Sequence, residues 1–567
     1  MANTLHTDQG WLKVMEYCSH GEIEKEEKYV HRHFTSHLAQ TLIPGQVIDH
    51  PTLCAYLEQC SRLIEAELRA WTSYYSKLQW LWYLRRLPLS IFSGELDTTL
   101  GYDSMLIETL TGLHGKSAAG LKRQSQILAF EVNRLIMRRV IRLAHGVRFL
   151  SRIHSAYRRA GKGQPFEFES GDPLPHFVQS GTVETAIELY DRRVEAGKAT
   201  LSIGRAGTLL GDSSFENIKS KSEDSIIAVF RFKETIQAPA FRQTEDGVKE
   251  EIKVLARFGP TFINLSGLRR LNHMLRDNPT SIWSRQVVGI ICLLRLGIYQ
   301  IVYGISSFAK VLEYGYIVTD PPSFQDIFKQ GHDWIVSFVG EVFPSIKLPE
   351  DADSLIEMIE QPPGSMWPLK PHGIIRYDRG FLCIDLYGAS MLLSAAMEYP
   401  RLEGGEVANI RSLHFEDTVQ EIISASPWIP PGEVLQYRRR ALRASGQGIT
   451  DIDAIGTYNK SLLLVSCKSL VYSSEYDKGD YSAIRNSAQT ITNAVLDWKQ
   501  KIEFLERNKE GDNYDFTSFD HFIGVVCSPY PVYVPIGPTT DLVSPGLKAC
   551  CSAGELSDWL STNTAAI

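Results

Sequence analysis

The sequence lacks a disulfide pattern: it has nine cysteines, an odd number, and no C-x-x-C motif. Irregular cysteines of this kind are typical of a reducing compartment, so the sequence predicts a cytoplasmic location and excludes a disulfide-stapled secreted scaffold. The first residues are polar and acidic and lack the apolar core of a signal peptide. Low-complexity tracts, repeats of fixed period and the G-x-S-x-G hydrolase motif are also missing.

The chain also lacks an excess of positive charge. It contains 59 Lys and Arg against 66 Asp and Glu, a net charge of −7. This balance excludes a protein that coats nucleic acid with its whole surface, but it leaves room for a local basic groove. With 44% hydrophobic and 22% charged residues, the composition indicates a globular protein and excludes disordered, collagenous and coiled-coil classes.

Only one apolar run, residues 286–308, is long enough to span a bilayer. Arg295 and Gln300 lie in its middle, where an unpaired polar group is costly in lipid. The run therefore predicts a buried core helix, and no association with a membrane is expected.

The pattern of apolar residues divides the 567-residue chain into four parts. Residues 1–160 have helical spacing, including a run over 123–159, and residues 161–265 are an irregular, mixed subdomain with short β-like runs. Residues 266–400 return to helical spacing, and residues 401–567 change to short strands between helices. We therefore predict a multidomain α+β fold in which a large, mostly helical N-terminal region precedes a C-terminal α/β domain.

The C-terminal part predicts a definite order of elements: αβββαβ. The predicted segments are a helix over 412–424, strands over 433–441, 449–455 and 461–468, a hairpin turn over 457–460, a helix over 482–507 and a strand over 521–527.

Charged residues lie on two of these strands, although both strands are mainly apolar. Strand alternation places Asp451 and Asp453 on one face of the first strand, and Ser466 and Lys468 on one face of the second. Buried charges must be paired or bind a metal ion. Carboxylates beside one lysine are what metal-assisted phosphodiester hydrolysis requires, because hard oxygen ligands hold Mg²⁺ and the lysine steadies the developing charge.

With its D-x-D-A-I strand, turn and LLLVSCK strand, the region of about residues 405–530 resembles the PD-(D/E)XK nuclease superfamily, which has the restriction-endonuclease-like fold. The resemblance implies that Asp453 is the motif aspartate and Lys468 the motif lysine, and that Glu416 is the helix glutamate. It implies a site for Mg²⁺ or Mn²⁺ in which Asp453 and Glu416 are metal ligands. Asp451 is a further candidate ligand beside them.

Ser466 departs from the family pattern, which has an acidic residue two positions before the lysine. Serine is a weak ligand for Mg²⁺ compared with a carboxylate, so Ser466 is at most an accessory catalytic residue. Three explanations remain open. The acidic role has moved to Glu416, Glu475 or Asp480; Asp451 contributes through a bulge; or the fold is degenerate and binds without cutting.

A cluster of arginines precedes the aspartate strand, and polar residues follow on the next helix. These candidate nucleic-acid-binding residues are Arg438, Arg439, Arg440, Arg443, Arg485 and Gln489. Lys499, on the same helix as Arg485 and Gln489, is expected to face the same groove. They would hold the phosphate backbone. The alternative for the arginines is an exposed edge that charge keeps soluble.

The sequence thus leads to two hypotheses. The first is a metal-dependent nuclease that hydrolyses phosphodiester bonds, with DNA favoured, and analogy with nucleases fused to helical regions suggests restriction or anti-phage defence. The alternative is a catalytically degenerate nuclease fold that acts as a nucleic-acid-binding or assembly module. In both, the N-terminal region is expected to bind a partner protein or to form a homo-oligomer.

Overall fold

A computed structural model describes residues 20–41, 47, 49–86, 122–124, 127–130, 132–179, 181–201, 225–243, 249–264, 282–303, 306–319, 321–349, 351–360, 375–378, 381–398, 406–470, 476, 479–535 and 537–562. Within them the chain is a mixed α+β protein with several small sheets, which confirms the predicted class at that level.

The helices are α1 His20–Thr41, α2 His50–Thr72, α3 Lys77–Arg86, α4 Arg134–Gly161, α5 Gly181–Leu201, α6 Ile282–Tyr303, α7 Ser306–Tyr314, α8 Pro321–Val342, α9 Ala352–Glu360, α10 Leu386–Glu398, α11 Glu406–Ser424, α12 Gly432–Leu435, α13 Tyr481–Arg507 and α14 Ala553–Thr562. The strands are β1 Lys122–Gln124, β2 Ile127–Ala129, β3 Phe166–Glu167, β4 His176–Phe177, β5 Ser225–Gln243, β6 Lys249–Asn264, β7 Tyr316–Thr319, β8 Ile375–Asp378, β9 Phe381–Asp385, β10 Leu442–Ala444, β11 Gln447–Thr450, β12 Ala454–Tyr458, β13 Ser461–Cys467, β14 His521–Ser528, β15 Leu542–Ser544, β16 Leu547–Lys548 and β17 Cys550–Ser552.

Helices α1, α2 and α4 pack together on an apolar core, as helical spacing predicts for this region. The helix predicted over 123–159 begins late, because β1 and β2 form an antiparallel hairpin and Asn133 caps α4. Two arginines of α4, Arg138 and Arg142, form ion pairs with Glu26 of α1. Burial opposes ionisation of Glu26, but the hydrogen bonds from these arginines prevail and lower its pKa.

The region predicted to be irregular contains regular structure instead. β5 and β6 form one long antiparallel hairpin, which packs on the buried helix α6. Arg295 of α6 donates to the Ser225 carbonyl oxygen at 2.5 Å and stacks on Trp334 with its guanidinium carbon 3.2 Å from the ring centroid. These contacts explain how a charge is accommodated inside the apolar run, as the core-helix prediction requires. No helix of the described residues is long and apolar enough to cross a membrane.

The C-terminal unit is built on a four-stranded mixed sheet of order β12-β13-β14-β17. β12 and β13 are antiparallel and join through a turn in which Asn459 takes φ +50°; β14 runs parallel to β13, and β17 parallel to β14. One face packs on α13, and the other on α11 and α14. The predicted helices over 412–424 and 482–507, the β12–β13 hairpin and the strand over 521–527 are confirmed.

Two predicted strands are wrong. Residues 433–441 form the last three residues of the short helix α12 and a series of turns, and Arg439 adopts φ +57°, outside the range of strand residues. The strand predicted over 449–455 is split: β11 ends at Thr450 and pairs only with β10, and β12 begins at Ala454. Asp453 therefore lies in a bend between two sheets.

Both edges of the four-stranded sheet are covered by side chains. At the β12 edge, the Gln420 amide donates to the Ile455 carbonyl oxygen and accepts from its N–H, both at 2.9 Å. At the β17 edge, Arg193 of α5 donates to the Cys550 carbonyl oxygen and forms two hydrogen bonds with Glu555. These contacts satisfy backbone groups that would otherwise be exposed for pairing with another chain.

Gly161 and Gly479 bring the C-terminal unit into direct contact with the end of α4. A Cβ atom at Gly161 would overlap the Gly479 carbonyl oxygen. We therefore expect Gly161→Ala to lower the free energy of unfolding by about 2–3 kcal/mol, measured by denaturant titration. Gly181→Ala is the matched control, because a Cβ at this helix start meets no atom within 4 Å. Equal stability of the two variants would show that the two surfaces are not in contact.

Candidate functional site

A polar pocket lies where β12 and β13 meet the sides of α11 and α13. Its described lining residues are Ser412, Glu416, Thr450, Asp451, Asp453, Ser466, Cys467, Lys468, Ser469, Ala494, Asp497, Trp498 and Lys501. The pocket therefore brings together five of the residues that the sequence singled out, from three separate segments: Glu416, Asp451, Asp453, Ser466 and Lys468.

Two hydrogen bonds hold Asp453 in the bend before β12, one to its side chain and one to its backbone. Its Oδ2 accepts from the Cys467 N–H at 2.6 Å, and its carbonyl oxygen accepts from Arg438 Nε at 2.9 Å. Because Ala454 pairs with Val465, the end of β13 lies directly opposite this bend. The carboxylate is thus fixed at the sheet end, between the two helical layers.

Burial raises the pKa of Asp453 to about 6, despite the hydrogen bond from the Cys467 N–H, which acts in the opposite direction. The nearby Glu416 and Asp451 carboxylates raise it further, and Lys468 lowers it. These interactions place three carboxylates and one ammonium group within electrostatic reach of one another. Counted over these four groups, the three carboxylates carry more negative charge than the Lys468 ammonium group can balance.

Lys468 extends the ladder of β13 beyond its last residue, since its N–H donates to the Cys527 carbonyl oxygen at 2.8 Å. Its side chain is half-buried and lines the pocket. In the part of the chain that the structure describes, its ammonium group makes no hydrogen bond or ion pair. A fixed backbone with an uncommitted ammonium group is suited to contacting an anion that enters the pocket.

The thiol of the neighbouring Cys467 packs with the core on the α11 side of the sheet. Burial, together with Asp453 and Glu416, raises its pKa well above the ordinary value. The thiol therefore stays protonated and is a poor nucleophile.

Glu416 lines the pocket from α11 but is already paired. Its Oε2 accepts from Arg439 Nε at 2.7 Å, and Arg439 also donates to the Leu413 carbonyl oxygen at 2.6 Å. Arg438 and Arg439 both pair with Asp417, at 2.5 and 3.1 Å. Arg438 and Arg439, two of the arginines predicted to bind phosphate, thus connect α11 to the segment before Asp453, which is a positioning role.

Ser466 is buried behind Asp453. Its Oγ lies 3.5 Å from Asp453 Oδ2, at the limit of a hydrogen bond. At this distance Ser466 makes at most a weak hydrogen bond with Asp453, and β13 has a serine, not a carboxylate, two residues before Lys468.

The proposed replacements for that acid differ in location. Asp451 is exposed at the pocket rim. The prediction that Asp480 belongs to the site is wrong. Its carboxylate caps α13 by accepting from the Ala483 N–H at 2.7 Å, and Asp480 does not line the pocket. Glu475 lies outside the described residues.

Helix α13 contributes pocket residues that the sequence did not reveal: Ala494, Asp497, Trp498 and Lys501. Arg485, Gln489 and Lys499, which were predicted to face this groove, are exposed and do not line it. At about 100° per residue, Arg485 lies about half a turn around the helix from Ala494, and Gln489 lies about 120° from Lys501. The spacing of apolar residues could have excluded both, because the buried face contains Ile491, Val495, Trp498 and Ile502.

Arg440 is exposed on the segment that leads into β10, and Arg443 is exposed within β10. Leu442 pairs with Thr450, a pocket residue, so these two arginines lie near the pocket entrance. Of the six predicted nucleic-acid contacts, they are the two that the structure leaves both exposed and near the pocket.

The donor set suits Mg²⁺ in its chemistry, since Glu416, Asp451 and Asp453 offer hard oxygens in a site with excess negative charge. Among the described residues, however, no three His, Cys, Asp or Glu side chains converge closely enough to hold a metal ion by themselves. Mg²⁺ commonly binds through one or two carboxylates, with water and substrate phosphate as its other ligands. Binding of that kind would need one carboxylate beside Asp453, and Glu416 and Asp451 are the two that both line the same pocket and raise the pKa of Asp453.

Comparison of this chain with family models, with curated proteins and with solved structures found no match.

Proposed function

We propose that this protein is a metal-dependent nuclease whose active site is the pocket around Asp453 and Lys468. The observation that carries the proposal is the charge arrangement at the open end of the β12–β13 hairpin: a half-buried carboxylate whose pKa is raised, two further carboxylates, and a lysine close enough to lower that pKa. Such an arrangement is suited to a divalent cation together with a phosphate.

The order of elements supports a relationship to the PD-(D/E)XK nucleases. In this proposal α11, β10–β11, β12, β13, α13 and β14 correspond to the expected αβββαβ core. The correspondence is loose at one point, because β10 and β11 form a separate hairpin and not a strand of the main sheet.

The proposed reaction is hydrolysis of a phosphodiester. Water attacks phosphorus, one P–O ester bond breaks, and the products are a phosphate monoester and an alcohol that takes up a proton. A bound Mg²⁺ would polarise the phosphate and lower the pKa of its bound water. Asp453 and one partner carboxylate would hold the ion, and Lys468 would orient the attacking water or stabilise the negative charge that develops at phosphorus.

A second candidate is a degenerate nuclease fold that binds nucleic acid or a partner without cutting. Two observations favour it: serine occupies the place of an acid at Ser466, and Arg439 already neutralises Glu416. In either case, we propose that DNA is the preferred ligand, that the location is cytoplasmic and that the N-terminal region binds a partner protein or a second copy of the chain. A reducing location is consistent with the free thiols of all eight described cysteines.

A cleavage assay decides between these functions. The full chain is incubated with Mg²⁺ or Mn²⁺ and with linear duplex, circular and single-stranded DNA and RNA. We expect cleavage that EDTA stops and that Lys468→Ala reduces to the level without metal. Lys460→Ala is the matched control, because Lys460 lies in the turn at the other end of β13 and is exposed.

Each outcome has a defined meaning. Cleavage that survives Lys468→Ala would contradict the proposed active site. Binding to nucleic acid with no cleavage for any metal or substrate would support the degenerate fold.

A further inference from the structure

Helix α13 is fixed against the sheet by its apolar face. Trp498 is buried, and its Nε1 donates to the Leu464 carbonyl oxygen of β13 at 3.3 Å. This contact anchors the helix turn that contains Asp497 and Lys501, and both side chains line the pocket. Their backbone positions are therefore determined by core packing and not by a flexible loop.

Lys501 has a partner that it can exchange readily. Its Nζ lies 2.8 Å from Asp497 Oδ2, an i,i+4 pair in which the lysine side chain is 31% exposed and the aspartate 62%. Ion pairs this exposed contribute about 0.3–0.5 kcal/mol on a helix surface. An anion that enters the pocket and carries a higher charge density than a carboxylate can therefore replace Asp497 as the partner of Lys501 at a small cost in free energy.

The pocket also needs a second cation if a phosphodiester is to enter it. Two further carboxylates, Glu416 and Asp451, lie near Asp453, and Lys468 is close enough to lower the pKa of Asp453. Lys501 lines the pocket from α13 and is not among the groups that shift the pKa of Asp453 most. Lys468 is thus close to the proposed metal site, whereas Lys501 is placed to contact the substrate from the helix side.

We propose that Lys501 is a substrate-binding residue that holds a backbone phosphate of the nucleic acid, and that it leaves Asp497 when the substrate binds. This inference rests on the proposed nuclease function of the same pocket. Lys501 contributes binding, whereas Lys468 acts in the chemical step. Loss of Lys501 should therefore weaken binding and raise KM more than it lowers kcat.

Binding of a fluorescently labelled DNA duplex, followed by anisotropy over a series of salt concentrations, tests the inference. Ca²⁺ replaces Mg²⁺ in this experiment, so that binding is measured apart from cleavage. We expect Lys501→Ala to weaken binding roughly tenfold and to reduce the slope of log K against log salt by about one, the signature of one lost phosphate contact. Lys501→Arg should retain most of the affinity, and Lys501→Gln, which keeps an aliphatic stem, should behave like Lys501→Ala.

Lys499→Ala is the matched control, because Lys499 is exposed on the opposite side of the same helix. Its affinity and salt slope should stay those of the unaltered protein. If the unaltered protein binds and Lys501→Ala binds with the same affinity and slope, the role of Lys501 is refuted while the nuclease proposal stands. If the unaltered protein binds neither DNA nor RNA, the proposed function fails and this inference fails with it.

Discussion

Asp453→Asn is expected to abolish cleavage and, at neutral pH, to raise the free energy of unfolding by about 2–3 kcal/mol. Burial raises the pKa of Asp453 to about 6, so its charged form is less stable in the folded protein than in the unfolded chain. A difference of about two pKa units corresponds to this free energy at about 1.4 kcal/mol per unit. Asparagine removes the charge, and its amide oxygen can still accept the hydrogen bond from the Cys467 N–H.

The sign of the effect depends on pH. Below about pH 4 the carboxyl is protonated in both states and has no linked cost. As the pH rises from about 4 to about 6, the unfolded chain loses the proton while the folded protein retains it, so stability falls. Above about pH 6 the full cost is present. The stabilisation by Asp453→Asn should therefore grow across this window and then stay constant.

Denaturant titrations of both proteins at several pH values, without divalent ions, measure this difference. Asp520→Asn is the control, because Asp520 is an exposed carboxylate paired with Lys460 on the surface. The pairing lowers the pKa of Asp520, so its substitution should not stabilise the protein. A loss of stability in Asp453→Asn at neutral pH would contradict the view that this carboxylate is kept at a cost for function.

The stability gain does not depend on whether the protein cleaves nucleic acid. A catalytic site and a degenerate one would both contain a carboxylate that lowers the stability of the folded protein at neutral pH, but only the catalytic one would lose cleavage when Asp453 is replaced. Natural proteins often retain such costly groups at sites that work on a ligand. A variant that gains stability and also loses cleavage would therefore support the nuclease proposal more strongly than a variant that only gains stability.

The elements that the sequence predicted correctly are those with strong local signals. An unbroken apolar run predicts β13, a polar two-residue turn with Asn459 closes its hairpin, and regular apolar spacing predicts α13. These signals lie within a single element, so they do not depend on the rest of the fold. The placement of Asp453 beside Lys468 followed from the hairpin alone.

The parts that could not be predicted depend on contacts between distant segments. Arg438 and Arg439 bind the carboxylates of α11, and no local pattern distinguishes such arginines from phosphate-binding ones. Asp497 and Lys501 face the pocket because Trp498 packs beneath β13. The break between β11 and β12 arises because β11 pairs with β10 alone. Each of these outcomes is decided by tertiary packing.

The affinity for Mn²⁺ or Mg²⁺ is expected to fall about tenfold for each pH unit below about pH 6. A carboxylate must lose its proton to bind a cation, and burial together with Glu416 and Asp451 keeps the proton on Asp453 up to about that pH. Lys468 and the Cys467 N–H act in the opposite direction, and both are included in this balance. Binding of one ion should release about one proton well below pH 6 and almost none above about pH 7.

Isothermal titration in two buffers of different ionisation enthalpy measures both quantities, since the difference in heat gives the number of protons released. The same titration with Asp453→Asn should show weak binding that does not change near pH 6. A pH-independent affinity in the unaltered protein would exclude Asp453 as a ligand, because no ion can bind that carboxylate without displacing its proton. Such a result would favour the degenerate fold, in which Asp453 has a structural role and accepts the hydrogen bond from the Cys467 N–H.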